Sequence, residues 1–326
     1  YKLNHFDNRA KSTGLKALEF AMRSESIVES SLPFDIRLTP QQINGELIPY
    51  NRWDVLETKR FAHLNKSALD FRAGLIEQFG VDVMNWNDTR IGKEVCFDWS
   101  SGRKVKRQTI RHKIALNDII FPYVQFQHPE FQRVLDYIRQ QVLTPDEFST
   151  SDNIVTKGVF TGLKATIDDF DFCYGTGGIH GSREREQIIS NDEWMIRDID
   201  VASLYPSIGI VNNLAPAHLG EDFTRAYSTI PIERKDWQAR KGKKCQEANS
   251  LKLAANGTYG KTNDKFSVMF DPQYTMAVTI NGQLLLSMLA ERLMLVPTFR
   301  IIQLNTDGIT YYIHRSYLPH AQKVEQ

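Results

Sequence analysis

The sequence predicts a mixed α/β fold, and three observations predict it. Residues 12–26 and 49–80 read as helices, with a loop between them. Residues 156–182 alternate as strands do and end in glycines. "FRIIQLNTDGITYYI", from Phe299, reads as a β-hairpin with "TDG" at its turn. At 326 residues the chain can form two or more domains, each with its own core. The net charge is only +1, so charge balance does not announce a nucleic-acid partner. Cys96, Cys173 and Cys245 lie far apart without metal or redox spacing, which fits buried thiols in a reducing compartment.

Taken in order, "STGLKALEFAMRSES" is helical, with Ser12 or Thr13 as N-cap, and "LTPQQINGEL" is a capped turn. "PYNRWDVLETKRFAHLNKSALDFRAGLIEQFG" runs as one long helix, Pro49 in its first turn and Gly80 closing it. Residues 81–116 are mixed and include the basic run "GRKVKRQTIRHK". "DIIFPYVQFQHPEF" looks extended, and "EFQRVLDYIRQQVL" looks helical. "WMIRDIDVASLYPS" is a strand followed by a tight turn, and "SLKLAANGTYGK" is a helix that runs from Ser250 to Gly257. "MAVTINGQLLLSMLAERLMLV", from Met276, carries Asn281, Gln283, Glu291 and Arg292, so it is a core helix rather than a membrane span. No signal peptide is visible, and the start at Tyr1 suggests a fragment of a longer protein.

The chemistry gathers at the carboxylates. Asp307 sits at the hairpin tip beside Gly308, where Asp-Gly alone would be ordinary turn chemistry. Asp200 ends an apolar strand, where alone it would be a residue before a capped turn. Two carboxylates on adjacent strand ends can hold two hard divalent cations, and coordination would remove the cost of burying charge. Lys252 and Asn256 fall one turn apart on a helix, where a lysine can meet a phosphate; the plain alternative is a surface lysine.

The order of these stretches resembles the polymerase motifs of family B DNA polymerases, in the bacteriophage style. "DVASLYPS" from Asp200, "KLAANGTYG" from Lys252 and "NTDG" from Asn305 resemble motifs A, B and C. "YGTGGIHG" from Tyr174 resembles the motif that joins the exonuclease and polymerase domains. "YNRWD", Tyr50 to Asp54, resembles the third exonuclease motif, and "TINGQ" from Thr279 a DNA-binding motif. The resemblance implies the C-terminal part of a ribonuclease-H-like 3′–5′ exonuclease domain (1–80) and a connecting, DNA-binding region (81–172). A polymerase palm (173–326) would follow, with fingers at about 215–260 and no thumb. The palm would be an antiparallel sheet backed by helices.

It also implies roles. Asp200 and Asp307, helped by the Val201 carbonyl, would hold two Mg2+ ions, with Mn2+ as the substitute. Ser203, Leu204, Tyr205, Lys252, Asn256 and Tyr259 would form the nucleotide site, Tyr205 excluding a ribose 2′-hydroxyl. Arg240 would be a second triphosphate ligand, three turns before Lys252 on a continuous helix, with Lys241 and Lys244 as rivals. Tyr174, Gly177, Gly178, Gly260, Thr279 and Gln283 would contact DNA. Tyr50 and Asp54 would belong to the proofreading site, Asp54 as a metal ligand. The partners would be a primed DNA template and dNTPs, with no membrane, and the enzyme a monomer in the host cytoplasm. Protein-primed members of that family carry insertions on either side of the lysine motif, so the short intervals flanking Lys252 imply a nucleic-acid primer rather than a terminal protein. "GRKVKRQTIRHK" is either a track for a phosphate backbone or a solvated surface. Three residues depart from the family pattern: Asn305 for aspartate, Gly257 for serine and Gln283 for arginine. The rival readings are a non-catalytic DNA-binding replication protein on the same fold and a metal-dependent exonuclease.

Overall fold

The computed structural model describes residues 14–33, 35–86, 88–91, 108–145, 158–243 and 245–326. The chain divides into two compact units. One is Tyr1–Gly92 with Glu233–Ala254, the other Lys93–Ile232 with Ala255–Gln326. The expected boundary at 172–173 falls inside a strand of the second unit. The expected caps Ser12 and Thr13, residues 102–107, Lys244 and Cys96 lie outside the described residues.

In the first unit, helix α1 (Leu15–Ala21) is followed by a capping box at Thr39. The Thr39 hydroxyl takes the Gln42 N–H at 3.3 Å, and the Gln42 side chain takes that of Thr39 at 2.9 Å. The box opens a helix rather than a turn: a π-helical turn, Ile43–Leu47, leads directly into α2 (Ile48–Leu64). The single long helix expected here breaks at Asn65, whose side chain donates to the Phe61 carbonyl at 2.8 Å. That local bond competes with the helical ladder. Helix α3 (Lys66–Phe79) then ends, as its sequence predicts, at Gly80 in the left-handed conformation, φ 69°.

In the second unit, short strands β1 (Ile114–Ala115) and β2 (Val142–Leu143) pair around helix α4 (Pro129–Arg139). Residues 119–128 make no strand. Their backbone groups are satisfied by helix side chains instead: Asn281 bonds Ile119 and Phe121, and Glu291 accepts from Gln127 and His128.

Strands β3 (Lys164–Ile167), β4 (Phe170–Tyr174), β5 (Ile179–Ser182) and β6 (Trp194–Asp200) precede helix α5 (Leu204–Val211). Helices α6 (Glu221–Lys241) and α7 (Gln246–Lys261) follow, then α8 (Pro272–Met294), the hairpin β7 (Arg300–Asn305) and β8 (Gly308–His314), and α9 (Leu318–Glu325). The sheet is antiparallel throughout, in the order β3-β4-β5-β7-β8-β6. Period-two alternation buries Phe172, Tyr174, Ile179, Leu304, Ile309, Tyr311 and Ile313 on one face. The other face is open and carries Lys164, Cys173, His180, Asn305, Asp198 and Asp200. Cys173 is therefore exposed, not buried, because its register sets it beside Lys164 and His180; Cys245 is half-buried.

Two helix expectations change. Helix α7 continues through Gly257 to Lys261, since Ala254, Ala255 and Thr258 are buried and the Tyr227 hydroxyl binds the Ala255 carbonyl at 2.8 Å. That packing offsets the roughly 1 kcal/mol a helical glycine costs. In the other direction, α6 and α7 are separate helices, parted at Gly242 with φ 93°, so the three-turn spacing from Arg240 to Lys252 does not apply. Helix α8 is buried on nearly every side. Among the described residues no helix is long and apolar enough to cross a membrane.

Candidate active site

The sheet register brings the two carboxylates together. Asp200, the last residue of β6, pairs with Gly308, the first of β8, and Asp307 immediately precedes that glycine. The Val201 N–H donates to the Asp307 carbonyl at 2.9 Å, so the residues bearing the two acids are tied through the backbone. Gly308 permits the approach: a Cβ there would lie 3.0 Å from the Ile199 carbonyl and 3.7 Å from Asp200 Oδ1. The hairpin tip is also fixed to β5, through Thr306 N–H to the Ile179 carbonyl at 2.8 Å.

Both acids sit beside strained backbone. Thr306 and Ser203 take φ of 53° and 52°, a conformation that side-chain-bearing residues seldom adopt, β-branched ones least of all. Strain of this kind persists where the surroundings over-determine it, and it gathers at functional sites. Ser203 is the N-cap of α5, so Tyr205 stands in the first turn of a helix rather than on a tight turn.

Tyr205 is held on three sides. Its hydroxyl donates to the Gly177 carbonyl at 2.7 Å, and its ring centre lies 4.7 Å from that of Tyr259. It packs so closely on α8 that a Cβ at Gly282 would lie 3.2 Å from Cε1. Gly178 leaves room in the same way: a Cβ there would lie 3.2 Å from the Thr306 side chain and 3.3 Å from the Tyr205 hydroxyl. Burial raises the Tyr205 pKa well above that of a free phenol, and the nearby Tyr259 and Asp307 charges add to the shift. Burial likewise pushes Tyr259 up to about 12, so both rings present protonated hydroxyls at neutral pH.

A second layer supports these groups. The Thr279 hydroxyl donates its one proton to the Thr275 carbonyl at 2.8 Å, so in the 2.6 Å contact with Tyr259 it accepts. Gln283 pairs doubly with the Gly175 backbone, at 2.8 and 3.1 Å, and the Tyr174 hydroxyl meets Ser287 at 2.8 Å. Tyr174, Thr279 and Gln283 are buried, and their polar atoms are engaged inside the protein. Their place is behind the site, fixing the glycine segment 175–178 against α8. Val201 and Ser203 are half-buried beside Asp200, and Leu204 is buried.

On α7, Lys252, Asn256 and Gly260 are exposed, one turn apart each, with Tyr259 adjoining them. Lys252 belongs to the first unit, as do Arg240, Tyr50 and Asp54. Arg240 is paired with Asp236 at 2.8 Å and Lys241 with Glu247. Around Asp54 the Lys16 ammonium lies 2.7 Å from Asp54 Oδ1 and 3.0 Å from Glu19 Oε1. Burial opposes the Lys16 charge, but the bonds to Asp54 and Glu19 outweigh it and raise its pKa. The bond to Asp54 also raises that of Tyr50.

Sequence reasoning missed His180, whose Nδ1 lies 3.1 Å from the Asn305 amide oxygen, and missed the part played by Gly282. A glycine inside an apolar helix is itself a signal of close approach. Among the described residues no three of His, Cys, Asp and Glu stand together as a metal site. Two carboxylates with the adjoining peptide carbonyls are hard oxygen donors. That set suits magnesium, which keeps waters and takes further ligands from phosphates. No protein-family model matches the chain, and no curated protein matches it.

Proposed function

We propose that this protein is a template-directed DNA polymerase, adding deoxynucleotides to a primer 3′ end. The single observation that carries the reading is the pairing of Asp200 with Gly308, which sets Asp200 beside Asp307 at one end of the sheet. Charge binding alone needs no carboxylate pair fixed at one sheet end. In this reading the antiparallel sheet is the palm, and α6 with α7 are the fingers. Asp200 and Asp307 would hold two magnesium ions, which would supply activation of the primer hydroxyl and charge stabilisation of the leaving pyrophosphate.

The chain's own groups then act by position. Tyr205, fixed by Gly177 and Gly282, gives the sugar a wall that has no room for a 2′-hydroxyl. Tyr259 extends that wall toward the base. Asn256, on the same helix as Tyr259, completes the nucleotide site within this unit. Tyr50 and Asp54 belong to a proofreading site, and the primer is a nucleic acid.

The test is primer extension with magnesium and dNTPs by the longest natural form of the chain. Asp200→Ala and Asp307→Ala should each lower the rate by about a hundredfold or more. A well-folded parent that binds primed DNA and adds nothing would leave the non-catalytic reading in place.

A further inference from the structure

The loop after α7 carries the most exposed large apolar side chain among the described residues: Phe266 is 86 % exposed. One exposed ring is ordinary and by itself implies nothing. Here the backbone beneath the ring is fixed from several sides. The N–H groups of Phe266 and Ser267 donate to Asp264, at 3.0 and 2.8 Å. The Gln108 amide donates to the carbonyls of both Lys265 and Ser267, at 2.7 and 2.6 Å. Beyond the tip, His218 Nε2 meets the Val268 carbonyl at 2.7 Å, and Thr109 N–H donates to that of Phe270 at 3.1 Å. The Lys265 ammonium lies 5.2 Å from the centre of the Phe266 ring.

The segment that clamps this loop is the end of the basic stretch "GRKVKRQTIRHK", which the catalytic reading leaves unused. Its described part, from Gln108, is joined to the Phe266 loop, and His112 and Lys113 are exposed beyond it. An exposed ring on a hydrogen-bonded loop, with a lysine over one face and the exposed Lys113 on the adjoining segment, matches one ligand chemistry. An unpaired base offers a flat face to stack on the ring, and its phosphate offers a charge to the lysine.

We propose that Phe266 and Lys265 form a stacking station for single-stranded nucleic acid. Phe266 lies against an unpaired base, Lys265 meets the adjoining phosphate, and the exposed Lys113 extends the track. The identity of the strand as unpaired template rests on the polymerase reading; the stacking chemistry does not. The loop's fixed backbone lowers the ordering cost of binding.

The experiment measures fluorescence anisotropy of a labelled oligothymidylate, and of a primed duplex with and without a 5′ overhang, at several salt concentrations. Phe266→Ala and Phe266→Leu should both weaken oligothymidylate and overhang binding by roughly 5- to 150-fold, the range set by loss of one base stack. Both should leave the blunt duplex unchanged. Lys265→Gln should lower the salt slope by about 0.7, the value for one single-strand phosphate. Three results would overturn the proposal: no oligothymidylate binding by the parent, no effect of either Phe266 change, or wild-type binding by Phe266→Leu. The last would mean that apolar area and not a ring is read, as by a protein partner. If the parent fails to extend primers while Phe266-dependent binding persists, the polymerase reading falls and the stacking station stands.

Discussion

At the scale of single residues, the site depends on groups whose polar atoms have one available partner. Tyr205 reaches the Gly177 carbonyl with the one proton it carries. Tyr205→Phe should therefore leave that carbonyl without its partner and cost about 1 kcal/mol, read as a lower urea midpoint with an unchanged slope. Because the ring itself remains against Gly282 and Tyr259, sugar discrimination should survive in Tyr205→Phe and weaken in Tyr205→Ala. Single-nucleotide insertion with dNTP and rNTP would separate the two roles. Full rejection of ribonucleotides by Tyr205→Ala would remove Tyr205 from the sugar wall.

At the scale of elements, helix α8 holds the site because its two ends and its middle are each tied to other segments. Asp271, 1 % exposed, is the N-cap: it accepts from Gln273 N–H at 3.2 Å and Ala217 N–H at 2.9 Å. Arg111 also grips it through two bonds of 3.0 Å. Removing the carboxylate leaves the partly exposed Arg111 and two backbone donors without their partner, so Asp271→Ala should cost about 1–3 kcal/mol. Asp271→Asn keeps the cap and should cost visibly less in the same chemical-denaturation measurement. Equal losses for the two variants would show that charge, and not capping, is what Asp271 contributes. The same helix explains why the extended reading of residues 119–128 gave way. Asn281 and Glu291 supply the bonds a neighbouring strand would have supplied.

At the scale of the second unit, the C-terminal helix α9 is fastened to the covered face of the sheet by one acid. Glu325 accepts from Arg197 at 2.6 and 2.8 Å and from the Tyr311 hydroxyl at 2.5 Å. The Arg197 bonds hold the Glu325 carboxyl below its ordinary range, against the opposing effect of burial. A carboxyl depressed in the folded state stabilises the fold fully above its unfolded pKa, near 4.3. That contribution is lost as pH falls through the folded value. Glu325→Gln should cost about 2 kcal/mol at neutral pH and flatten the decline of stability on acidification. An unchanged acid limb in urea unfolding would refute the assignment.

The linear sequence determined the strands β3 to β8, the hairpin tip at Asp307, the closure of α3 at Gly80 and the order of the site motifs. Each of these rests on contacts a few residues apart: alternation, a turn dipeptide, a left-handed glycine. Only the tertiary structure decided where α7 ends, which face Cys173 takes, and which residues stand behind the site. Gln283 and Gly175, or Tyr174 and Ser287, lie more than a hundred residues apart and meet because α8 packs under the sheet. Helical glycines at 257 and 260 are tolerated for the same reason, since burial of their neighbours outweighs a local preference of about 1 kcal/mol. The meeting of Asp200 and Asp307 was legible because each ends or adjoins a strand whose alternation the sequence displays. Its support was not, because glutamine, serine and glycine acquire a role only from what a distant segment places against them.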